Sequence, residues 1–183
     1  ISFLNKLFKA APNGAMIRLD ANGKFDPIKD KSTLEALAEM PIEFIEEPIA
    51  FSSYEKAVKL PHKLKIALDE SLLSTPDRIR QLYESYQIEC FILKPMLLGG
   101  LINCHKIIQD LKLSKNQFAF SHIFDSARAM RFYAHLALAF APERSCGLSP
   151  HGLLCDQERK KLALNGLFKE NHIHFKGEPG ILS

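Results

Sequence analysis

No stretch of this 183-residue chain reaches the roughly 18–20 continuous apolar residues that a membrane span needs. The most apolar helical segment, around Ala134–Phe140, is interrupted by His135 and ended by Pro142. No secretory leader is expected from the opening residues. Cysteine is sparse: Cys90, Cys104, Cys146 and Cys155 form no C-x-x-C pair and no Cys/His zinc spacing. They read as reduced, partly buried thiols of a cytoplasmic protein, with one disulfide as the minor alternative. Excess charge is missing too. Lys and Arg number 24 against 21 Asp and Glu, scattered, for a net +3, so no nucleic-acid face is implied. With 46% hydrophobic residues, the chain is not disordered by composition. Finally, no G-x-G-x-x-G follows a first strand, so a dinucleotide-binding fold has no support.

What is present is a repeat. Short apolar β-type runs fall at Ala15–Leu19, Ile42–Ile45, Leu64–Leu68, Cys90–Leu93 and Gln117–Phe120, with a weaker sixth near Cys146–Leu148. Their spacing is that of a βα unit. Helical patterns lie between them. Ser32 with Glu35 and Ser52 with Glu55 read as capping boxes. Thr75 precedes Pro76 at a first helical position. Leu101–Leu111 and Ser126–Phe140 carry apolar residues at helical spacing. Strands apolar on both faces, such as Ile66–Leu68, suit a buried parallel sheet. An open doubly wound sheet and a (β/α)8 barrel both satisfy this pattern. The six visible runs fall short of the eight strands of a barrel.

The strand ends carry the chemistry. Leu19 runs into Asp20, Ile45 into Glu46, Leu68 into Asp69, Leu93 into Lys94 and Phe120 into Ser121-His122. The successive steps from Asp20 to Ser121 are 26, 23, 25 and 27 residues, one βα unit each. Polar groups repeated at the carboxyl ends of buried strands are where α/β barrels place their catalytic groups. One acid there is ordinarily a cap or a solvated loop residue. Three acids on consecutive strands repel one another, and a bound cation relieves that repulsion. Three oxygen donors with open positions suit Mg²⁺ better than zinc, because no His or Cys shares those positions.

These motifs resemble the enolase superfamily, and within it the muconate-lactonizing subgroup. The resemblance rests on Arg18-Leu19-Asp20-Ala21-Asn22-Gly23, Glu46-Glu47-Pro48, Ala67-Leu68-Asp69-Glu70-Ser71 and Leu93-Lys94-Pro95 with Gly99-Gly100. Ser121–Ser126 and His151-Gly152-Leu153 match more weakly. The resemblance implies a modified TIM barrel, seen here as strands three to eight, without the N-terminal α+β capping domain. Residues 1–165 would be the partial catalytic barrel and 166–183 a tail returning toward the capping domain. It implies Asp20, Glu46 and Asp69 as Mg²⁺ ligands, Glu46 rather than Glu47 because the ligand is the acid two before the proline. Lys94 would face the enediolate as a cation. Asn22 would orient a carboxylate, unless it is only a turn residue, and Glu70 would salt-bridge at the mouth or stay exposed. Gly99 and Gly100 would let backbone approach the substrate. Ser121 and the helix start at Ser126 would hold a second substrate carboxylate, with an ordinary N-cap as the even alternative. His122 and His151 are mouth residues or structural histidines.

The implied partner is a small carboxylate substrate, with neither nucleic acid nor membrane. The implied reaction is loss of water from a succinyl-bearing hydroxycyclohexadiene carboxylate, giving o-succinylbenzoate. Rivals are N-acylamino acid racemisation and dipeptide epimerisation, and, in another class, a decayed barrel kept as a binding or structural element. The sequence departs from the family pattern where His122 replaces a Ser, Asp125 a Glu, Ala127 a second Ser and Leu154 an Asp. The family's Lys-x-Lys, whose second Lys is the general base, is expected roughly five to ten residues before Ile1 by βα spacing. Lys6 and Lys9 fall in the intervening helix and do not replace it. Six strands alone would leave two open edges, so these residues in isolation are expected to be unstable or inactive.

Overall fold

The structure is a computed structural model, and it describes residues 1–11, 16–54, 59–149, 151–155 and 157–158. The boundary expected at residue 165, the 166–183 tail, Ala15 and Glu55 lie outside the described residues. The chain forms two compact units, one of Ile1–Ile92 and one from Leu93 onward.

The elements alternate as the apolar runs require. Helix α1 (Ser2–Ala10) precedes β1 (Ile17–Asp20), then come α2 (Lys31–Ala38), β2 (Ile42–Glu46) and α3 (Phe51–Tyr54). Next are β3 (Ile66–Leu68), a 3-10 turn (Glu70–Leu73), α4 (Pro76–Ser85) and β4 (Ile88–Leu93). Helix α5 (Leu101–Asp110), β5 (Phe118–Phe120) and α6 (Ala127–Phe140) complete the described elements. The sheet order is β1-β2-β3-β4-β5, which is sequence order. The first three pairings are parallel, so each helix serves as a crossover.

Burial follows. Ile42, Phe44, Ile45, Ile66, Ala67, Leu68, Cys90, Phe91 and Ile92 are all buried, the signature of strands covered on both faces. Leu34 and Leu37 of α2 and Ile79 and Leu82 of α4 supply the helical side of the first unit's core. Tyr83 of α4 meets Phe91 of β4 edge-on at 5.4 Å between centroids. In the second unit Phe120 and His105 each lie 5.6 Å from Phe140 of α6. Across β1 and β2, Arg18 forks onto Glu43 at 2.7 and 3.1 Å and lies 4.8 Å over the Phe44 ring.

Three expectations need correction. The sixth run does not form a strand: Gly147 makes one parallel bridge to Ser121, its N–H donating to the Phe120 carbonyl at 2.8 Å. Ser32 does not cap α2, which starts at Lys31 with Asp30 at the cap position. Asp26 takes over the approach. Its Oδ1 accepts from Ile28 and Lys29 N–H, and its own N–H donates to Asp30 Oδ2. Ser52 likewise sits inside α3 rather than before it. Thr75 does hold the cap position of α4, with Pro76 first in the helix, but its hydroxyl makes no cap bond.

The four cysteines are free thiols, Cys90 and Cys104 buried, Cys146 half-buried and Cys155 exposed. Burial pushes the Cys104 thiol up to about 11. No helix among the described residues is long and apolar enough to cross a membrane.

Candidate functional site

The three acids lie in the first unit. Asp20 and Glu46 close β1 and β2, and they are direct register partners. Parallel partners stand side by side, so these two carboxylates arise from adjacent points on one sheet end. Asp69 follows β3 by one residue, at the start of the 3-10 turn, and is only 3% exposed. Among the described residues, no three His, Cys, Asp or Glu side chains are drawn together around one point to hold an ion. The donor set itself is all oxygen, which fits a hard cation such as Mg²⁺ and not a nitrogen- or sulfur-seeking one.

Around these acids the backbone turns sharply. Asn22 (φ 47°) and Gly23 (φ 67°) are both left-handed, the pairing an Asn-Gly turn supplies at least cost. The Asn22 N–H donates to Asp20 Oδ1 at 3.0 Å, a contact made by its backbone. A Cβ on Gly23 would meet Ala50 Cα at 3.2 Å, so glycine is required for the approach as well as for φ.

Glu47 carries a buried, heavily hydrogen-bonded carboxylate. It is 5% exposed and left-handed at φ 38°. Its Oε1 accepts from the N–H of Asp69 at 2.7 Å and of Ser71 at 2.9 Å, and its Oε2 accepts from Ser71 Oγ at 2.8 Å. Burial raises its carboxyl above the ordinary range, opposed by those hydrogen bonds. The sequence marks Glu47 only as the acid beside the expected ligand; its left-handed turn and its bonds to residues 69 and 71 carry no local sequence signal. Glu70 lines a shallow depression of about 330 Å³ with Asn22, Gly23, Glu47, Ile49 and Ser71.

The second unit holds the remaining candidates. Lys94 directly follows β4 and is half-buried. Its carbonyl accepts from Leu98 N–H at 3.0 Å, and the Gly100 N–H returns to the Pro95 carbonyl at 2.7 Å. Gly99 (φ 78°) and Gly100 (φ 109°) let this loop close onto α5. Ser121 donates its hydroxyl to the Gly147 carbonyl at 3.2 Å and its N–H to the Leu93 carbonyl at 3.0 Å. Ser126 is the N-cap of α6, its Oγ accepting from Ala129 N–H at 3.3 Å.

His122 and His151 are 5.2 Å apart between ring centroids, with the Phe124 ring edge-on to both. His122 Nδ1 accepts from Phe124 N–H at 3.1 Å, which leaves Nε2 as the donor to the Ser149 carbonyl at 3.2 Å. His151 repeats the pattern, with Nδ1 accepting from Leu153 N–H and Nε2 reaching the Asp125 carbonyl at 2.7 Å. Burial lowers the His122 pKa, with His151 and Lys94 adding to the effect. Asp125 is buried, accepts from Ile123 N–H and hydrogen-bonds Tyr133. Burial first, then Asp125, pushes the Tyr133 hydroxyl up to about 12.

Parallel strands joined by helices, with polar groups at their carboxyl ends, define a partial (β/α) barrel of the kind that hosts enzyme sites. The chain belongs to the Enolase C-terminal domain-like family, which matches residues 2–181. Among curated proteins it is similar to the o-succinylbenzoate synthase of Desulfotalea psychrophila. The two are 28% identical over 162 residues, 85% of this chain and 43% of that protein. The solved structure of MenC from Desulfotalea psychrophila LSv54 superposes with a TM-score of 0.67 at 26% identity, covering 83% of this chain and 44% of that one. The dipeptide epimerase of Methylococcus capsulatus, solved with Mg and the dipeptide L-Arg-D-Lys, gives 0.65 at 25% identity over 81% of this chain and 42% of that one. The chain thus spans less than half the length of these relatives.

Proposed function

We propose that the chain carries the barrel part of a Mg²⁺-dependent lyase of the enolase superfamily. The reaction is dehydration of 2-succinyl-6-hydroxy-2,4-cyclohexadiene-1-carboxylate to o-succinylbenzoate, a step of menaquinone biosynthesis, in the cytoplasm. The observation that carries the reading is the row of acids on consecutive strand ends, with Asp20 and Glu46 in register and Asp69 buried beside them in sequence order. The similarity to o-succinylbenzoate synthase supports the choice of reaction.

Asp20, Glu46 and Asp69 are the residues that would hold Mg²⁺. When bound, the ion supplies charge stabilisation to a carboxylate whose α-proton is being lost. Lys94, half-buried, would supply a second positive charge to the developing anion, and a cation acts more strongly there than in water. Ser121 and the N–H groups opening α6 would take a second carboxylate of the substrate. Elimination of water needs one base-acid residue and is helped by aromatisation, whereas racemisation needs a competent lysine on each face.

Dipeptide epimerisation is the second reading, favoured by the fold likeness to the Methylococcus enzyme. Against it, Leu154 stands where that activity typically has an acid, and it is buried against Met130. Turnover of the cyclohexadiene substrate by the full protein, with and without Mg²⁺, tests the first reading. Asp69→Asn should cut the Mg²⁺-dependent rate by about 100-fold or more, on the scale of a lost electrostatic group. Wild-type activity in Asp69→Asn would remove the metal assignment, and turnover of dipeptides instead would favour the epimerase. Inactivity on both substrates would favour the decayed barrel.

A further inference from the structure

We propose that Glu47 is a positioning residue that sets the relative places of all three candidate cation ligands without binding the cation itself. The proposal rests on reading Asp20, Glu46 and Asp69 as those ligands. Two of the links are direct bonds and the third, to Asp20, runs through one turn. Glu47 is covalently next to Glu46. Its carboxylate takes the Asp69 N–H at 2.7 Å. Its carbonyl takes the Gly23 N–H at 2.6 Å, and the same turn hands the Asn22 N–H to Asp20 Oδ1. Its own N–H closes onto the Ala67 carbonyl at 3.0 Å, two residues before Asp69.

A buried carboxylate is costly unless its lone pairs are filled. Here three donors fill them, and two belong to the Asp69–Ser71 backbone turn. The left-handed backbone at φ 38° turns the side chain away from the direction of Glu46 and toward that turn. Removing the side chain leaves all three donors without this acceptor, whereas a Gln can keep them, its Oε1 on the two N–H groups and its NH₂ toward the Ser71 hydroxyl oxygen. Outer partners that aim ligands in this way commonly change metal affinity by 10–100-fold.

The test measures hydrogen exchange at the Asp69 amide and Mg²⁺ binding by titration calorimetry, on the full chain. Glu47→Ala should raise exchange at Asp69 by about tenfold or more, and weaken Mg²⁺ binding by about 10–100-fold. Glu47→Asp, one methylene short, should move both in the same direction and serves if the Ala variant does not fold. Ser71→Ala removes only the hydroxyl bond and should leave Mg²⁺ affinity within about threefold. Leu34→Ala, a core cavity remote from these bonds, controls for general instability. Unchanged Mg²⁺ affinity in a folded Glu47 variant would overturn the proposal, as would an equal loss in Leu34→Ala. If Asp69→Asn binds Mg²⁺ as wild type does, the ligand reading falls instead; the Asp69 amide then still shows whether Glu47 holds that turn.

Discussion

Gly147 shows how little room single residues have near the strand ends. A Cβ there would meet Ser121 Oγ at 2.9 Å and come within 4.0 Å of the Phe120 carbonyl. Gly147→Ala should therefore destabilise the fold by roughly 1–3 kcal/mol in urea unfolding, the usual range for an overpacked methyl. Ser121→Ala in the same chain should restore part of that loss, since the clashing atom is gone, and the double-mutant cycle measures how much. His122 gives a pH dependence. Its neutral form is fixed by the Phe124 N–H on Nδ1, and burial lowers its pKa below the unfolded value of about 6.5. The groups facing it are His151, Lys94, Asp125 and the Ser149 carbonyl. The unfolded chain takes up a proton that the folded chain resists, so stability is full above about pH 6.5 and falls as pH drops through that window. Urea midpoints at pH 7.5 and 5.5 check this. His122→Gln should flatten the slope, and an unchanged slope would assign it to another group.

At the scale of elements, helix starts and strand pairs divide the work. Ser126 caps α6, so Ser126→Ala should cost about 1 kcal/mol in thermal or urea unfolding. If substrate affinity also drops in that variant, the hydroxyl does more than cap. The Arg18–Glu43 fork joins β1 to β2 with side chains 24% and 13% exposed. Arg18→Lys keeps the charge but loses the fork and the plane over Phe44, and should cost about 1 kcal/mol with little rescue by salt. This is also the scale at which the sequence was most legible. Runs such as Phe91-Ile92-Leu93 into Lys94 announce their own ends, because a buried strand must stop where charge begins. Helix caps were less legible. Ser32 and Glu35 have capping-box spacing, but the Asp26–Asp30 hydrogen bonds start α2 two residues earlier. The weak run at Cys146–Leu148 has strand composition without the partner geometry for more than one bridge. Arg18 and Glu43 are 25 residues apart, and Glu47 and Asp69 are 22 apart. Pairings at that range depend on register, which local patterns do not carry.

For the whole molecule, the sequential order of strands means that each candidate ligand arrives on its own βα unit. A cation held by all three would tie those units together. Mg²⁺ at 100 times its Kd should stabilise the fold by about 2.7 kcal/mol, which raises the thermal midpoint by roughly 5–10 °C. Asp20→Asn, Glu46→Gln and Asp69→Asn should each abolish the shift in calorimetric melts; a shift that survives all three would place the ion elsewhere. Position 47 has a consequence for how this sequence can drift. It demands a left-handed backbone, a side chain long enough to span to the next turn, and an oxygen acceptor for two N–H groups. Glycine meets the first demand alone, and asparagine and aspartate meet it without the length. Only glutamate and glutamine combine the length with that acceptor, at a conformational cost they would not bear elsewhere. Codon 47 should then tolerate fewer replacements than the exposed acids around it, although nothing need ever bind to its side chain.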